Sequence, residues 1–318
     1  MTTLSAMRGW RLRPEGGRPI GWRRAAIIGT LLAALSFVLG GCSSLRVAYH
    51  TGPQLAWWWA DGYMDFTSEQ SPQVKAAIER WFDWHRQTQL PVYASMLSTL
   101  QAQAEQPLTP AAVCQWNERI AQALGPAVLR ALEPSAELLP RLGEAQLRHL
   151  EQRQKRNLDE ARADYLQPDP AERRAAQLKR TVARAEQLYG RIDDAQRKLL
   201  ADGLDASPFD AQAWIDERQR RQRDMVLTLR RLLAEKPDRE QRLTALRALV
   251  DRGQRSPDPA YRAYQQRLND YNCGLIARLH NATTPAQRQR ARANLRGWED
   301  DLRALIERSA AEPVPGPT

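Results

Sequence analysis

The chain has 318 residues, 42% of them hydrophobic, and carries 47 Lys or Arg against 37 Asp or Glu, a formal net charge of +10. Six Arg and one Glu fall within residues 1–41, so the remaining 277 residues carry a net charge of only +5. The high isoelectric point is therefore no evidence for a nucleic-acid partner. A chain of 277 residues is long enough for one large domain or two small ones.

An apolar segment precedes the first cysteine. Residues 25–39 (AAIIGTLLAALSFVL) are apolar or small and carry no charge, and Arg23 and Arg24 stand before them. A basic start, a short apolar core and small residues at its end are typical of a secretory signal. A bilayer-spanning helix, in contrast, needs about 20 apolar residues. The ending Leu39-Gly40-Gly41-Cys42 resembles the lipobox of bacterial lipoproteins.

The lipobox resemblance implies a lipid anchor on Cys42. In that family the cysteine thiol takes a diacylglycerol, the chain is cut before the cysteine, and the new amino group is acylated. Two or more acyl chains anchor a protein stably, since each buried methylene contributes roughly 0.8 kcal/mol. Ser43, where Asp would favour the inner membrane, favours the outer membrane. The alternative is a signal-anchor helix with an incidental cysteine.

We predict four parts of the chain. They are a signal peptide over 1–41, a lipidated tether over 42–53, a helical domain over 54–310 and a disordered tail over 311–318. If the helical domain is divided into two sub-bundles, the boundary is expected near 166–170, where Pro168 and Pro170 stand.

A Trp-rich stretch opens the helical domain. On a helix Leu55, Trp58, Trp59, Gly62, Tyr63 and Phe66 share one face, and Trp57 lies beside it. One interpretation is that this face packs into the core and fixes the domain close to the anchor. The other is contact with the lipid interface, where Trp and Tyr side chains are enriched.

The rest of the chain has the pattern of consecutive amphipathic helices and no run of alternating β-branched residues. Helices are predicted at 54–65, 68–87, 90–105, 110–132, 143–166, 170–190, 193–204, 209–235, 238–252, 258–281 and 285–309. The fourth has one apolar face, formed by Val113, Trp116, Ile120, Leu124 and Val128. Because such faces must bury against each other, we predict an all-α bundle of mostly antiparallel helices without a β-sheet.

Capping boxes mark several helix starts, because a Gln at the third helical position can reach back to the N-cap backbone. The full pattern occurs at Thr67–Gln70 and Thr284–Gln287, and looser versions occur at Gly143–Gln146 and Asp193–Gln196.

Two helical segments are polar on every side. They are residues 216–224 (DERQRRQRD) and 151–157 (EQRQKRN). Such stretches usually protrude from a bundle into solvent. They also provide a candidate surface for an acidic partner, such as a lipopolysaccharide phosphate or an envelope protein, formed by Arg218, Arg220, Arg221 and Arg223.

Apart from Cys42, the chain has two cysteines, Cys114 and Cys273, each near an apolar helical face. In an oxidising compartment such thiols favour a disulfide. The alternative is two separately buried free cysteines. The histidines show no metal-ligand spacing, and no motif marks a nucleophile or a phosphate site, so we predict no catalytic residue, metal or cofactor. His85 continues an apolar face and is expected to be a hydrogen-bonded core residue.

Three stretches of the sequence carry a resemblance to a known family. They are LGGCSSLRVAYHTGPQLAWWWADGYMDFTSEQ, TPAAVC ending at Cys114, and CGLIARLHNATTPAQRQRARANLRGWEDDLRAL from Cys273. With them the chain resembles uncharacterised proteobacterial lipoproteins that carry the domain of unknown function 6279. That resemblance implies an envelope lipoprotein and supplies no activity. The residues 142–146, 192–196 and 283–287 are also similar, incompletely, to the Leu-Thr-x-x-Gln repeats of small helical periplasmic chaperones.

These observations give a first functional expectation with two alternatives. We expect an outer-membrane-anchored, periplasm-facing protein that acts as a non-enzymatic interaction or scaffold module in the cell envelope. Its partners would be the membrane, through the lipid anchor, and an envelope protein or lipopolysaccharide, and not nucleic acid. The first alternative is a holdase-type chaperone, and the second is an enzyme with an unrecognised site. The sequence does not indicate the oligomeric state.

Overall fold

The computed structural model of the protein describes residues 44–311, so the predicted signal peptide, Cys42 and the tail from residue 312 lie outside the described residues. Within them the chain forms twelve α-helices and no β-strand, which confirms the all-α prediction. The helices are α1 (Ser44–His50), α2 (Gly52–Met64), α3 (Ser71–Thr88), α4 (Leu90–Gln103), α5 (Pro110–Leu138), α6 (Glu144–Tyr165), α7 (Pro170–Tyr189), α8 (Asp194–Asp205), α9 (Ala211–Glu235), α10 (Arg239–Gln254), α11 (Pro259–Asn281) and α12 (Pro285–Ala311).

Among the described residues, the chain from Leu45 to Ala311 forms one compact unit. Consecutive helices pack in pairs, such as α2 on α3, α7 on α8 and α9 on α10. Helices distant in sequence join these pairs, because α4 packs along α12, α5 along α11, and α6 along α9. The proline-rich stretch near 166–170 is a bend between α6 and α7 that does not divide this unit.

Several small apolar clusters form the core. The largest joins α7, α8, α11 and α12 around Leu200 and Leu275. A second joins the end of α5 to α9 and α10 around Ala136 and Leu232, and a third joins α4 to α12 around Leu90. Each cluster is small, so the polar contacts between helices also contribute to fixing their arrangement.

Reciprocal capping boxes form at three of the four predicted places, Thr67, Asp193 and Thr284; at Gly143, which has no side chain, only the glutamine half forms. At Asp193 the carboxylate accepts the Gln196 backbone N–H at 2.8 Å, and the Asp193 N–H donates to Gln196 Oε1 at 3.0 Å. The Gln side chains at the other three starts accept their own box's first N–H at 2.9–3.0 Å; these are Gln70, Gln146 and Gln287. The structure thus confirms the local function of these glutamines.

The same four glutamines also meet in pairs across the bundle. Gln196 Nε2 donates to Gln287 Oε1 at 2.7 Å, and Gln287 Nε2 donates to Gln196 Oε1 at 2.8 Å. Each amide then reaches the loop before its partner's helix, because Gln196 donates to the Ala282 carbonyl and Gln287 to the Arg191 carbonyl. One side chain therefore serves its own helix start, the other glutamine and the other helix's loop.

An equivalent arrangement holds α3 and α6. Gln70 and Gln146 exchange amide hydrogen bonds of 3.3 and 2.8 Å. Gln70 Nε2 donates to the Arg141 carbonyl, and Gln146 Nε2 donates to the carbonyls of Met64 and Asp65. The bundle thus contains two copies of one helix-start connection.

A disulfide joins Cys114 on α5 to Cys273 on α11, with 5.5 Å between their Cα atoms. This confirms the pairing expected from the sequence. The two residues are 159 positions apart, and a loop of that length contributes on the order of 4 kcal/mol in the chain-entropy account. Cys273 is fully buried, so the bond fixes the start of α5 on the core.

Helix α5 differs from its prediction in length and in burial. It continues past 132 to Leu138 although Pro126 and Pro134 lie inside it. The two prolines remove backbone hydrogen bonds from the helix. Contacts at both ends compensate for this loss: the disulfide at the start of α5 and the apolar cluster with α9 and α10 at its end.

The predicted apolar face of α5 is buried only at its start. Val113 and Trp116 are buried, whereas Ile120, Leu124 and Val128 are 41–49% exposed. The expectation that this whole face packs into the core is therefore wrong, because no described helix covers its middle.

We expect Gln196→Ala to lower the free energy of unfolding by roughly 2–4 kcal/mol, because it leaves several buried groups without partners. Urea unfolding followed by circular dichroism measures the change. Gln241→Ala is the matched control, since exposed Gln241 completes a capping box at α10 and bonds nothing else within the described residues. It should cost roughly 0.5–1 kcal/mol. Equal losses of unfolding free energy in the two variants would show that the pairing of Gln196 with Gln287 adds no stability beyond the capping box.

Candidate membrane-contact site

Helix α1 begins two residues after Cys42, within the predicted tether 42–53. It docks on the bundle through Leu45 and Tyr49, which pack against the cluster between α4 and α12. The Tyr49 hydroxyl donates to the Phe82 carbonyl at 3.2 Å and contacts His85 Nδ1 at 3.0 Å. The expected tether is therefore wrong from Ser44 on, because Leu45 and Tyr49 lie one helical turn apart and bury together.

The corner between α1 and α2 depends on Gly52. A Cβ atom at this position would lie 2.6 Å from the Phe82 ring, closer than real side chains approach. Glycine therefore allows the start of α2 to lie directly on α3. Pro53, in the first turn of α2, has a backbone angle that already suits a helix.

Of the three consecutive tryptophans, Trp57 docks α2. It is 9% exposed, its ring stacks 5.8 Å from Phe66, and the Lys75 ammonium lies 4.7 Å from the ring centroid. The helix ends at Asp65, which has a left-handed backbone, and the Phe66 N–H donates to Asp61 Oδ1 at 3.0 Å. These contacts fix the rotation of α2 about its axis.

That rotation leaves an apolar face in solvent, here called the α2 aromatic face: Leu55, Trp58 and Trp59. These residues are 49%, 60% and 67% exposed. The sequence grouped them correctly on one face, but the interpretation of that face as core-packing is wrong for them. Trp59 lies against Tyr63 with 4.8 Å between ring centroids.

A cation lies at the edge of the α2 aromatic face. The Arg153 guanidinium of α6 lies 5.6 Å from the Tyr63 ring centroid, and the Tyr63 hydroxyl accepts a hydrogen bond from Asn157. Indole rings beside cationic side chains suit the membrane interface, where apolar chains meet phosphate groups. Among the helices within 44–311, none is long and apolar enough to cross a membrane.

His85 links this region to the core. Its ring stacks 4.7 Å from Trp81 and bonds the Tyr49 hydroxyl, as expected for a hydrogen-bonded core histidine. Burial lowers the pKa of His85 below its usual 6.5 and raises the pKa of Tyr49 to about 12. A similar pair occurs elsewhere, where His280 contacts the Tyr189 hydroxyl at 2.9 Å and burial lowers the pKa of His280.

The four arginines expected to form an anion-binding surface are largely used inside the protein. Glu217, 6% exposed, accepts two hydrogen bonds from Arg220 at 2.8 Å and one from Arg221 at 2.9 Å. The Ser256 hydroxyl also donates to Glu217 at 3.1 Å. Burial raises the pKa of Glu217, but these hydrogen bonds outweigh it and hold the pKa below its usual value. Arg220 and Arg221 thus both pair with a buried carboxylate.

The other two arginines have different surroundings. Arg218 lies over the Trp214 ring, 5.6 Å from its centroid, and Arg223 is exposed. The segments 216–224 and 151–157 do not protrude either, because α9 packs along α6 and Gln222 Nε2 donates to the Gln154 carbonyl at 3.2 Å. The prediction that these two polar segments protrude into solvent is therefore wrong, because they pack against each other.

Within the described residues no group of three or more His, Cys, Asp or Glu side chains could hold a metal ion.

The model of the Family of unknown function (DUF6279) matches residues 62–262. The chain belongs to this family. The match confirms the resemblance to the domain of unknown function 6279, and the family's description names no activity. The matched region begins at Gly62, so Trp58 and Trp59 precede it. No curated protein and no solved structure matches the chain.

We expect stability to be highest above pH 6.5 and to fall as the pH drops below it, because the unfolded chain takes up protons that the folded chain excludes from His85 and His280. Urea unfolding between pH 7.5 and 5 measures this slope. His85→Gln, which does not titrate, should make the slope shallower, whereas His149→Gln serves as the control. An unchanged slope in the His85 variant would contradict the expectation.

Proposed function

We propose that the protein is an outer-membrane-anchored, periplasm-facing lipoprotein that acts as a non-enzymatic interaction or scaffold module, with its α2 aromatic face on the membrane surface. The observation that carries the proposal is the exposure of Trp58 and Trp59 at 60% and 67%, seventeen residues or fewer beyond Cys42. Large apolar side chains exposed together usually mark a contact surface.

Chain length supports this position. Only one residue, Ser43, separates Cys42 from the first described helical residue, Ser44, and an extended chain spans at most about 3.6 Å per residue. A lipid on Cys42 would therefore hold the start of α1 within about 7 Å of the anchored cysteine. The helical body could not move far from the membrane, and α2 would stay within reach of its surface.

Two membrane contacts together favour stable attachment. Acyl chains supply the first, and the α2 aromatic face supplies the second by placing indole rings among the lipid headgroups. Besides its anchoring effect, this contact would restrict how the bundle turns on the membrane. The uncovered middle of α5, with Ile120, Leu124 and Val128, is a further apolar surface that an envelope partner could contact.

We expect intact lipoprotein from outer-membrane fractions to carry a diacylglycerol and an acyl group on Cys42 by mass spectrometry, and Cys42→Ala to leave those fractions. In vesicles with brominated lipids, lipidated wild-type protein should lose more tryptophan fluorescence than the Trp58→Phe/Trp59→Phe variant. Trp298→Phe, which removes a Trp that is 39% exposed on α12, is the matched control. An unmodified Cys42 would overturn the anchor; equal quenching of all three proteins would overturn the aromatic contact alone.

A holdase-type chaperone is the second candidate. The observation that favours it is the apolar stripe of α5, formed by Ile120, Leu124 and Val128, because unfolded clients bind exposed aliphatic surface. The capping boxes of the protein also resemble, incompletely, the Leu-Thr-x-x-Gln repeats of small helical periplasmic chaperones.

For this candidate, the protein should suppress light scattering by a thermally unfolding enzyme, and Leu124→Ser should weaken the suppression by about half or more. Leu227→Ser is the matched control, because Leu227 is 65% exposed but lies on α9, outside the stripe. No suppression by the wild-type protein, or equal losses in both variants, would reject this candidate.

A further inference from the structure

An open cavity of about 550 Å³ lies where the end of α6, the first turns of α7 and the start of α9 meet. Its wall contains two cations, two aromatic rings and three amides: Arg173, Arg180, Tyr165, Phe209, Gln167, Gln177 and Gln212. This volume suits a small organic molecule.

The two arginines of the cavity are held by neutral groups. Arg173 Nη1 donates to the Gln167 carbonyl at 2.6 Å. Arg180 Nη1 donates to the Asp164 carbonyl at 3.3 Å, and its guanidinium stacks 4.4 Å from the Tyr165 ring centroid. Within residues 45–307 neither one forms an ion pair with a carboxylate.

Other arginines of the bundle show the contrast. Arg174, the next residue along α7, donates twice to Asp205 at 2.6 Å, and Arg252 donates twice to Asp224 at 2.9 Å. Carbonyl and ring contacts orient a guanidinium without cancelling its charge. Arg173 and Arg180 therefore keep a full positive charge on the cavity wall.

One acid, Asp210, also lines the wall, so the two arginines outnumber it and the wall keeps a net positive charge. Asp210 is the N-cap of α9, and its Oδ1 accepts the Ala213 backbone N–H at 3.0 Å.

The apolar part of the wall can hold a ring. The centroids of Tyr165 and Phe209 are 6.3 Å apart in an edge-to-face arrangement, and Leu166 also lines the cavity. Aromatic rings favour edge-to-face or offset arrangements over face-to-face stacking. Tyr165 and Phe209 therefore offer ring surfaces against which a further planar group can pack in one of these arrangements.

We propose that this cavity binds a small aromatic anion, a carboxylate or phosphate monoester carried on a ring. Arg173 and Arg180 would donate charge-assisted hydrogen bonds to the anionic group, while Phe209 and Leu166 contact the ring. This site does not depend on lipidation of Cys42 or on the α2 aromatic face.

The test is isothermal titration of the purified protein with phenyl phosphate, benzoate, inorganic phosphate and benzyl alcohol. The proposal requires saturable binding of phenyl phosphate or benzoate, with inorganic phosphate and benzyl alcohol each at least about tenfold weaker. If inorganic phosphate binds as tightly as phenyl phosphate, the cavity selects no ring; no saturable binding of either aromatic anion removes the site. Either result overturns the proposal.

Substitutions on α7 test whether the positive charges of the cavity wall bind the anion. Arg173→Gln and Arg180→Gln should each weaken binding about tenfold or more, the usual effect of losing one charge-assisted hydrogen bond. Arg174→Gln is the matched control and should change the affinity by less than about twofold. Equal losses in the Arg173 and Arg174 variants would overturn the assignment.

Gln177→Glu keeps both arginines and their contacts, and the Gln177 side chain makes no hydrogen bond within the described residues, so folding should be preserved. Its added negative charge should abolish phenyl phosphate binding. Gln187→Glu, the same change on an exposed part of α7, should not. Undiminished binding by the Gln177 variant would place the anion elsewhere.

Discussion

Two pairs of largely buried glutamine side chains hold the starts of four helices, and much of the bundle's arrangement depends on them. Each glutamine caps its own helix, bonds its partner and reaches the loop before the partner's helix, as Gln196 does with Gln287 and the Ala282 carbonyl. A primary amide suits this function because it offers donors and an acceptor at once. Since the apolar clusters are small, these polar connections select one arrangement of helices that hydrophobic burial alone would leave less defined.

The arginines of this protein fall into two groups that have different uses. Arg220 and Arg221 bond Glu217 within α9, and Arg252 of α10 bonds Asp224 of α9, so all three stabilise a polar interface with carboxylate partners. Arg173 and Arg180 are oriented by carbonyls and by a ring, so their charge remains available at an open cavity. A run of arginines in sequence is therefore a poor guide to an anion site, because the identity of the groups that hold each guanidinium decides its electrostatic effect.

The first two helices combine docking with exposure. Tyr49 and Trp57 attach α1 and α2 to the bundle, and this attachment turns Trp58 and Trp59 outward. An exposed aromatic face on a firmly held helix can give a membrane contact with a defined orientation, which a flexible tether could not provide. Because Gly52 fits against Phe82 without a Cβ atom, the corner between the two helices contributes to that orientation.

The sequence by itself determined the all-α class and most of the helices, although not α1, because caps and amphipathic faces depend on residues three or four positions apart. It also favoured the pairing of Cys114 with Cys273, the two cysteines other than Cys42. Only the tertiary structure decided which tryptophan is buried, which arginines meet carboxylates, how the capping glutamines pair, and that Ile120 and Leu124 stay uncovered. Several of those outcomes depend on a helix far away in sequence, as the bonding of Gln196 to Gln287 does. A local pattern identifies an apolar face or a charged run, but the groups placed opposite it determine whether it is buried, neutralised or left free to bind.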